Sequence, residues 1–150
     1  MRALVQRVTE ASVTVRGEIT GSIQQGLLIL LGVGNDDEEV DLEWLAQKIA
    51  NLRIFNDEEG KMNRSVVDVD GNFLVVSQFT LHASTKKGTR PSYIKAARPE
   101  LAEPMYERFC KQLAMISGRT VERGQFGAHM EVRLLNDGPV TIWIDTKNKD

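Results

Sequence analysis

The hexapeptide Asn136-Asp137-Gly138-Pro139-Val140-Thr141 constrains this chain more than any other stretch. It separates two runs that read as strands, Met130 to Leu135 and Val140 to Asp145. Asp-Gly between apolar runs is a strong short-range signal for a hairpin turn. The proline that follows cannot donate to a sheet ladder, so it belongs at a strand start, an edge or a bulge. X-Pro bonds in tight turns are also where cis peptides occur. Two readings stay open on these residues alone. One is an ordinary turn; the other is a rigid corner that points two backbone carbonyls at something.

Alternation makes Ala3 to Thr9 a strand, with Arg7 on the face of Ala3 and Val5. Arg7 is either buried and bonded, often to backbone carbonyls, or a strand-end arginine reaching solvent. Ser12 to Val15 and Glu18 to Ile23 form a hairpin around Arg16-Gly17. Leu27 to Val33 is continuously apolar, as a strand buried on both faces would be. Asn35 and Glu38 have capping-box spacing, and Leu42, Leu45, Ile49 and Leu52 then recur as the stripe of a helix running to about Arg53. A second helix is expected from near Glu103, with Pro104 at its first position and Gly118 closing it. Its stripe is Met105, Phe109, Leu113 and Ile116. Thr120 to Phe126 and His129 to Leu135 add strands, and the tail from Thr146 reads as polar and frayed. Strands at both ends with two helices between predict an α+β fold with a curved, barrel-like, largely antiparallel sheet.

Two polar stretches could carry chemistry. Phe73 to Val76 is a core strand that runs into Ser77-Gln78-Phe79-Thr80-Leu81. If the strand continues, Ser77 and Phe79 face one way and Gln78, Thr80 and His82 the other. A polar cluster at the end of a buried strand sits on a rigid scaffold; it is equally what a strand leaving the core looks like. Ser84 to Arg98 holds Lys86, Lys87, Arg90, Lys95 and Arg98 and no acid. Such a loop is either merely solvated or a phosphate-contacting patch.

Composition removes several classes. A chain of 150 residues suits one domain, and 41% hydrophobic with 27% charged residues is a soluble globular balance. One cysteine, Cys110, leaves no internal disulfide, and with two histidines a Cys/His zinc cluster is not expected. Neither a metal nor another cofactor is indicated. Met1 to Thr9 shows no signal peptide and no stretch approaches a membrane span, so the expected compartment is the cytoplasm. A net charge of -2 gives no global pull towards nucleic acid, so DNA is not an expected partner.

Taken together, Ser77-Gln78-Phe79-Thr80-Leu81, Asn136-Asp137-Gly138-Pro139-Val140-Thr141, the lead-in Phe126-Gly127-Ala128-His129-Met130 and the first strand Met1 to Val8 resemble the D-aminoacyl-tRNA deacylase family, whose mark is a Gly-cis-Pro turn. The resemblance spans essentially the whole chain. It implies a homodimer that hydrolyses the ester between a D-amino acid and the terminal adenosine of tRNA. It also implies that Gly138 and Pro139 reach into the partner's site, that Arg7 holds their turn, and that Phe126 and Met130 pack around the adenosine. Ser77, Gln78, Phe79 and Thr80 would form the catalytic segment, and Lys86, Lys87 and Arg90 would touch tRNA. A wall that reads handedness cannot exclude glycine, so glycyl-tRNA is an expected substrate as well. For the chemistry, Thr80 could be a nucleophile only with an activating base. The favoured route instead uses N–H groups near Phe79 and Thr80 for the oxyanion, with the vicinal 2′-hydroxyl assisting.

Overall fold

The computed structural model describes residues 1–150. Its sheet is built on one long strand, β1 (Arg2–Val15). Along one edge β1 pairs antiparallel with β2 (Glu18–Ile23) and β3 (Gly26–Gly32). Along its other edge it pairs antiparallel with β8 (Glu131–Asp145) over nearly its full length. Beyond β3 the sheet continues with β6 (Asn72–Ser77) and β7 (Val121–Arg123), both parallel to their neighbours. The sheet is therefore mixed, with antiparallel pairings in the majority. A small hairpin, β4 (Phe55–Asn56) and β5 (Met62–Arg64), stands apart.

The sheet curls until β2 meets β7 and nearly closes a barrel. Closure needs Gly21: a Cβ there would lie 2.6 Å from the Arg123 carbonyl oxygen. Two cores result. Outside the curl, α1 (Glu39–Asn51) and α2 (Pro99–Ser117) bury Leu42, Leu45, Ile49, Met105, Phe109 and Leu113 against Ala3, Val5, Ile29, Phe73 and Val75. Inside it, Val8, Val13, Val15, Leu28, Leu74 and Val76 pack together. Ala3 and Val5 share sequence parity with Val13 and Val15 yet face the other core. The pairing of β1 with β8 slips on either side of Val8, and such a bulge exchanges the two faces of a strand.

Several sequence expectations need correction. Asn136 to Thr141 is not a hairpin: both halves of β8 run in one direction along β1. Between Gln6↔Thr141 and Val8↔Asn136, β1 advances two residues while β8 advances five, so the Asp-Gly-Pro segment is pushed out of the ladder as a bulge. The first helix is capped one turn later than expected. Glu38 is its N-cap and forms a capping box with Asp41, while the Asn35 amide donates to the Ile94 carbonyl at 2.7 Å. The second helix starts at Pro99, and Pro104 lies inside it, because the first turn can begin with either proline at its N1 position. The seventh strand ends at Arg123, which leaves Phe126 to Met130 outside any strand.

The tail is anchored at its start. The Thr146 N–H donates to the Met1 carbonyl, and the Lys147 ammonium meets the Asp41 carboxylate at 2.9 Å. Burial pushes the Asp41 carboxyl up, but the Glu38 N–H and Lys147 outweigh it and hold the group down at about 2. A carboxyl lowered in the folded state stabilises at pH above its ordinary 3.8 and loses that contribution as pH falls towards 2. Asp41→Asn should therefore cost roughly 2 kcal/mol at pH 7 and close to nothing near pH 2, read from urea midpoints across pH. An equal loss at both pH values would contradict the role of the charge.

Candidate active site

Strand β6 is held on both sides by parallel neighbours, and its end is where the candidate residues collect. After Ser77 the chain leaves the ladder and makes a 3-10 turn, Phe79–His82, so the alternation of faces expected through Leu81 does not hold. The turn is fastened at three points. The Gln78 N–H donates to the Leu31 carbonyl at 2.8 Å, the Arg2 guanidinium donates to the Leu81 carbonyl at 2.8 Å, and the Ala83 N–H donates to the Thr80 carbonyl at 3.0 Å. The Leu81 N–H bonds the Gln78 carbonyl at 3.2 Å and is the first link of the turn. The N–H groups of Phe79 and Thr80 precede that link and have no carbonyl within the turn to meet.

Beside this turn lies a cavity of about 670 Å³, within the usual range for small-ligand sites. Ser77, Gln78 and Phe79 form one wall, and Phe126, Ala128 and Met130 face them. The Tyr106 hydroxyl donates to the Val75 carbonyl at 2.9 Å and ties α2 to the β6 strand beneath the cavity. Burial raises the Tyr106 phenol above its ordinary value, so it stays a neutral donor. Burial likewise pushes the Cys110 thiol up to about 12, which leaves it without thiolate at neutral pH and in a structural role.

The Thr80 hydroxyl accepts a hydrogen bond from the Gln78 side-chain amide at 2.5 Å. An amide N–H cannot take a proton. His82 is buried, its Nε2 has no hydrogen-bond partner, and desolvation lowers its pKa. No base is therefore bonded to Thr80.

Arg7, Gly138 and Pro139 form a second cluster, and none of them lines the cavity of their own chain. Arg7 is only 7% exposed. Its guanidinium donates to the Asp137 carbonyl at 3.1 Å and to the Ile54 carbonyl at 2.8 Å, and it lies 3.2 Å from the Asp137 carboxylate. The Asn136 amide brackets the bulge from the other side, donating to the carbonyls of Arg7 and Val140 at 3.0 and 3.1 Å. The Gly138-Pro139 peptide is cis. Gly138 sits at φ 134°, and a Cβ there would come within 2.8 Å of the Val140 side chain, so only glycine fits. Both Gly138 and Pro139 are exposed at the tip of this clamped corner.

Lys86, Lys87 and Arg90 are exposed, and none of the ion pairs in the structure includes them. They do not line the cavity. Sequence reasoning missed Asn136 as a second clamp, Arg2 as a fastener of the turn, and Tyr106, Tyr93 and His129 among the cavity residues. An asparagine opening a turn is a recognisable signal for the first. The others become neighbours only through long-range packing.

The sequence model of the D-Tyr-tRNA(Tyr) deacylase family matches residues 4–145. The D-aminoacyl-tRNA deacylase of Bacteroides fragilis strain YCH46 is 59% identical over 150 residues, covering 100% of both chains. That of Porphyromonas gingivalis strain ATCC 33277 is 60% identical over 150 residues, again covering 100% of both. Among solved structures, a protein named c-Myc DNA Unwinding Element Binding Protein superposes with a TM-score of 0.92 at 45% identity, covering 97% of this chain and 98% of its own. Matched along its whole length in both sequence and backbone, this chain belongs to the D-Tyr-tRNA(Tyr) deacylase family.

Proposed function

We propose that residues 1–150 form one deacylase domain that hydrolyses the ester of D-aminoacyl-tRNA in the cytoplasm, releasing the free D-amino acid and tRNA. The observation that carries this reading is the segment Ser77 to Phe79, which walls the cavity and leads into the Phe79–His82 turn, whose first two N–H groups, those of Phe79 and Thr80, have no partner in the turn. The terminal adenosine occupies the cavity between Phe126, Met130 and the turn. Water, positioned by the vicinal 2′-hydroxyl, attacks the ester carbonyl carbon. The N–H groups of Phe79 and Thr80 stabilise the resulting oxyanion. The intermediate collapses by breaking the bond to the ribose oxygen, which leaves with a proton as the tRNA hydroxyl.

Chirality is read by a second copy of the chain. A homodimer places Gly138 and Pro139 of one subunit over the cavity of the other, where their carbonyls hold the substrate amino group and fill the space an L side chain needs. Two features support this. The clamped corner is exposed and does not reach the cavity of its own chain. Strand β8 is also a 15-residue edge that pairs only with β1 and exposes Leu135 and Trp143, an edge that soluble proteins cover. The Lys86, Lys87 and Arg90 loop contacts tRNA phosphates.

The reading has a direct test. Release of D-tyrosine, L-tyrosine and glycine from their charged tRNAs is compared at matched enzyme. D-tyrosine and glycine should be released and L-tyrosine retained. Complete inertness towards glycyl-tRNA would remove the steric wall. Release of both tyrosine enantiomers would make the protein a general esterase, and binding without release a tRNA-binding module.

A further inference from the structure

The rim of the cavity carries an aromatic pair that the deacylase reading leaves unused. Phe79 and Tyr93 meet edge-to-face, with ring centroids 5.2 Å apart and an interplanar angle of 73°. Their exposures are 56% and 39%, while Phe55, Phe73, Tyr106 and Phe109 are buried. Both residues line the cavity, and their exposure leaves the rings open to solvent on that side. Tyr93 belongs to the acid-free loop, in which Lys86, Lys87 and Arg90 have no acidic partner, although Arg98 does, in Glu100 at 3.7 Å. Exposed aromatic faces beside unpaired cations are the combination that holds single-stranded nucleic acid: bases stack on the rings and phosphates follow the charge.

We infer that Tyr93, braced by Phe79, is the stacking platform for the unpaired nucleobase that immediately precedes the acylated adenosine, with the strand then passing along Lys86, Lys87 and Arg90. This rests on the deacylase reading for its occupant. An adenosine seated between Phe126 and Met130 must send its 5′ strand out through the open side of the cavity, and the exposed aromatic rings among the lining residues are those of Phe79 and Tyr93. Stacking is tolerant of base identity, so the platform adds affinity and register to the 3′ end without selecting one tRNA. It also explains why a loop with no regular structure is tied down at its neck, where Ser84 and Ser92 exchange backbone hydrogen bonds of 2.8 and 2.9 Å.

Two measurements decide it. An uncharged RNA hairpin with a single-stranded 3′ end carries 2-aminopurine at the position before the terminal adenosine. Wild-type protein should quench its fluorescence on binding. Tyr93→Leu, which fills the space beside Phe79 but offers no ring, should lose the quench and bind about tenfold more weakly, and Tyr93→Phe should restore both. In the second arm, Tyr93→Leu should lower kcat/KM about tenfold on D-tyrosyl-tRNA and by a clearly smaller factor on D-tyrosyl-adenosine, which has no preceding base and meets Tyr93 only as part of the cavity wall. RNA binding without a quench, no RNA binding by wild type, or an equal effect of Tyr93→Leu on both substrates, including none on either, overturns the platform. A wild-type enzyme that releases D-tyrosine from neither substrate overturns the deacylase reading instead, and the fluorescence arm still decides the platform.

Discussion

Arg7→Ala is expected to lower D-tyrosine release from charged tRNA by at least about a hundredfold and to cost about 3–5 kcal/mol of stability. The side chain is 7% exposed and donates to two backbone carbonyls, those of Asp137 and Ile54. Truncation leaves both acceptors without that donor and removes the counter-charge 3.2 Å from the Asp137 carboxylate. Each lost charge-assisted bond is worth roughly 1.5–3 kcal/mol and removing one partner of a buried charge pair about 3–5 kcal/mol, and the second range sets the stability figure. The activity loss follows from a different link. With the clamp gone the bulge at Gly138 is free to move, and the wall proposed there would then reject an L side chain poorly. Release of L-tyrosine should therefore rise relative to D-tyrosine as the total falls. Arg7→Lys can reach one carbonyl as a point charge but cannot span two, so it should fall between. In the proposed homodimer the mutated chain keeps its own Phe79 turn, so its site can be served by an intact partner. Co-refolding Arg7→Ala with Phe79→Pro, which removes one of the two proposed oxyanion N–H donors at the first position of the turn, should recover about a quarter of wild-type activity, from the half of dimers that are mixed and carry one complete site each. An Arg7→Ala enzyme that is folded, fully active and fully selective would sink the clamp; absence of recovery in the mixture, with mixed dimers demonstrated, would sink its delivery across subunits.

How much of this could be read from the chain depends on how local each cause is. The strand Leu27 to Val33 and the stripe Met105, Phe109, Leu113 were legible because burial on both faces and helical periodicity are properties of a few neighbouring residues. The Arg16-Gly17 hairpin was legible for the same reason, and both residues take positive φ. Asn136 to Thr141 misleads because its local chemistry is that of a reversal, while the chain direction is set by β1, whose length lets both halves of β8 pair with it. Tertiary pairing overrides turn propensity there. Ser77 to Leu81 misleads more gently: the strand ends at Ser77 because the Gln78 N–H takes the Leu31 carbonyl and the next link closes a 3-10 turn. The burial of Arg7 was one of two open readings, since a strand places a side chain on a face but does not say what lies opposite; Ile54 and Asp137 are far away in sequence. The Phe79–Tyr93 contact belongs to the same class.

The second large effect concerns the substrate rather than the protein. A D-tyrosyl ester on a tRNA ending in 2′-deoxyadenosine is expected to be hydrolysed at least about a hundredfold more slowly than the natural ester, the lower end of what a positioned proton-transfer group contributes. Thr80→Ala, by contrast, should retain activity within about tenfold. A nucleophilic threonine needs a base in hydrogen-bond reach of its hydroxyl. Here the Thr80 Oγ1 is occupied by the Gln78 amide, which donates and cannot accept a proton, and the one nearby imidazole has a buried Nε2 bonded to nothing. Removing the Thr80 hydroxyl leaves its backbone N–H in place, so the oxyanion loses no donor. Removing the ribose hydroxyl takes away the proton-shuttling group that the substrate places next to the leaving oxygen of its own ester, while the α-amino group on the acyl side is engaged by the proposed Gly138-Pro139 carbonyls. The two changes thus pull apart accounts that a single mutant would confuse. Complete loss in Thr80→Ala, with the fold and RNA binding intact and the 2′-deoxy ester still hydrolysed at the natural rate, would return the chemistry to the threonine. If instead the deoxy ester is inert and Thr80→Ala is active, the protein contributes position and two N–H dipoles, and the RNA contributes the proton transfer.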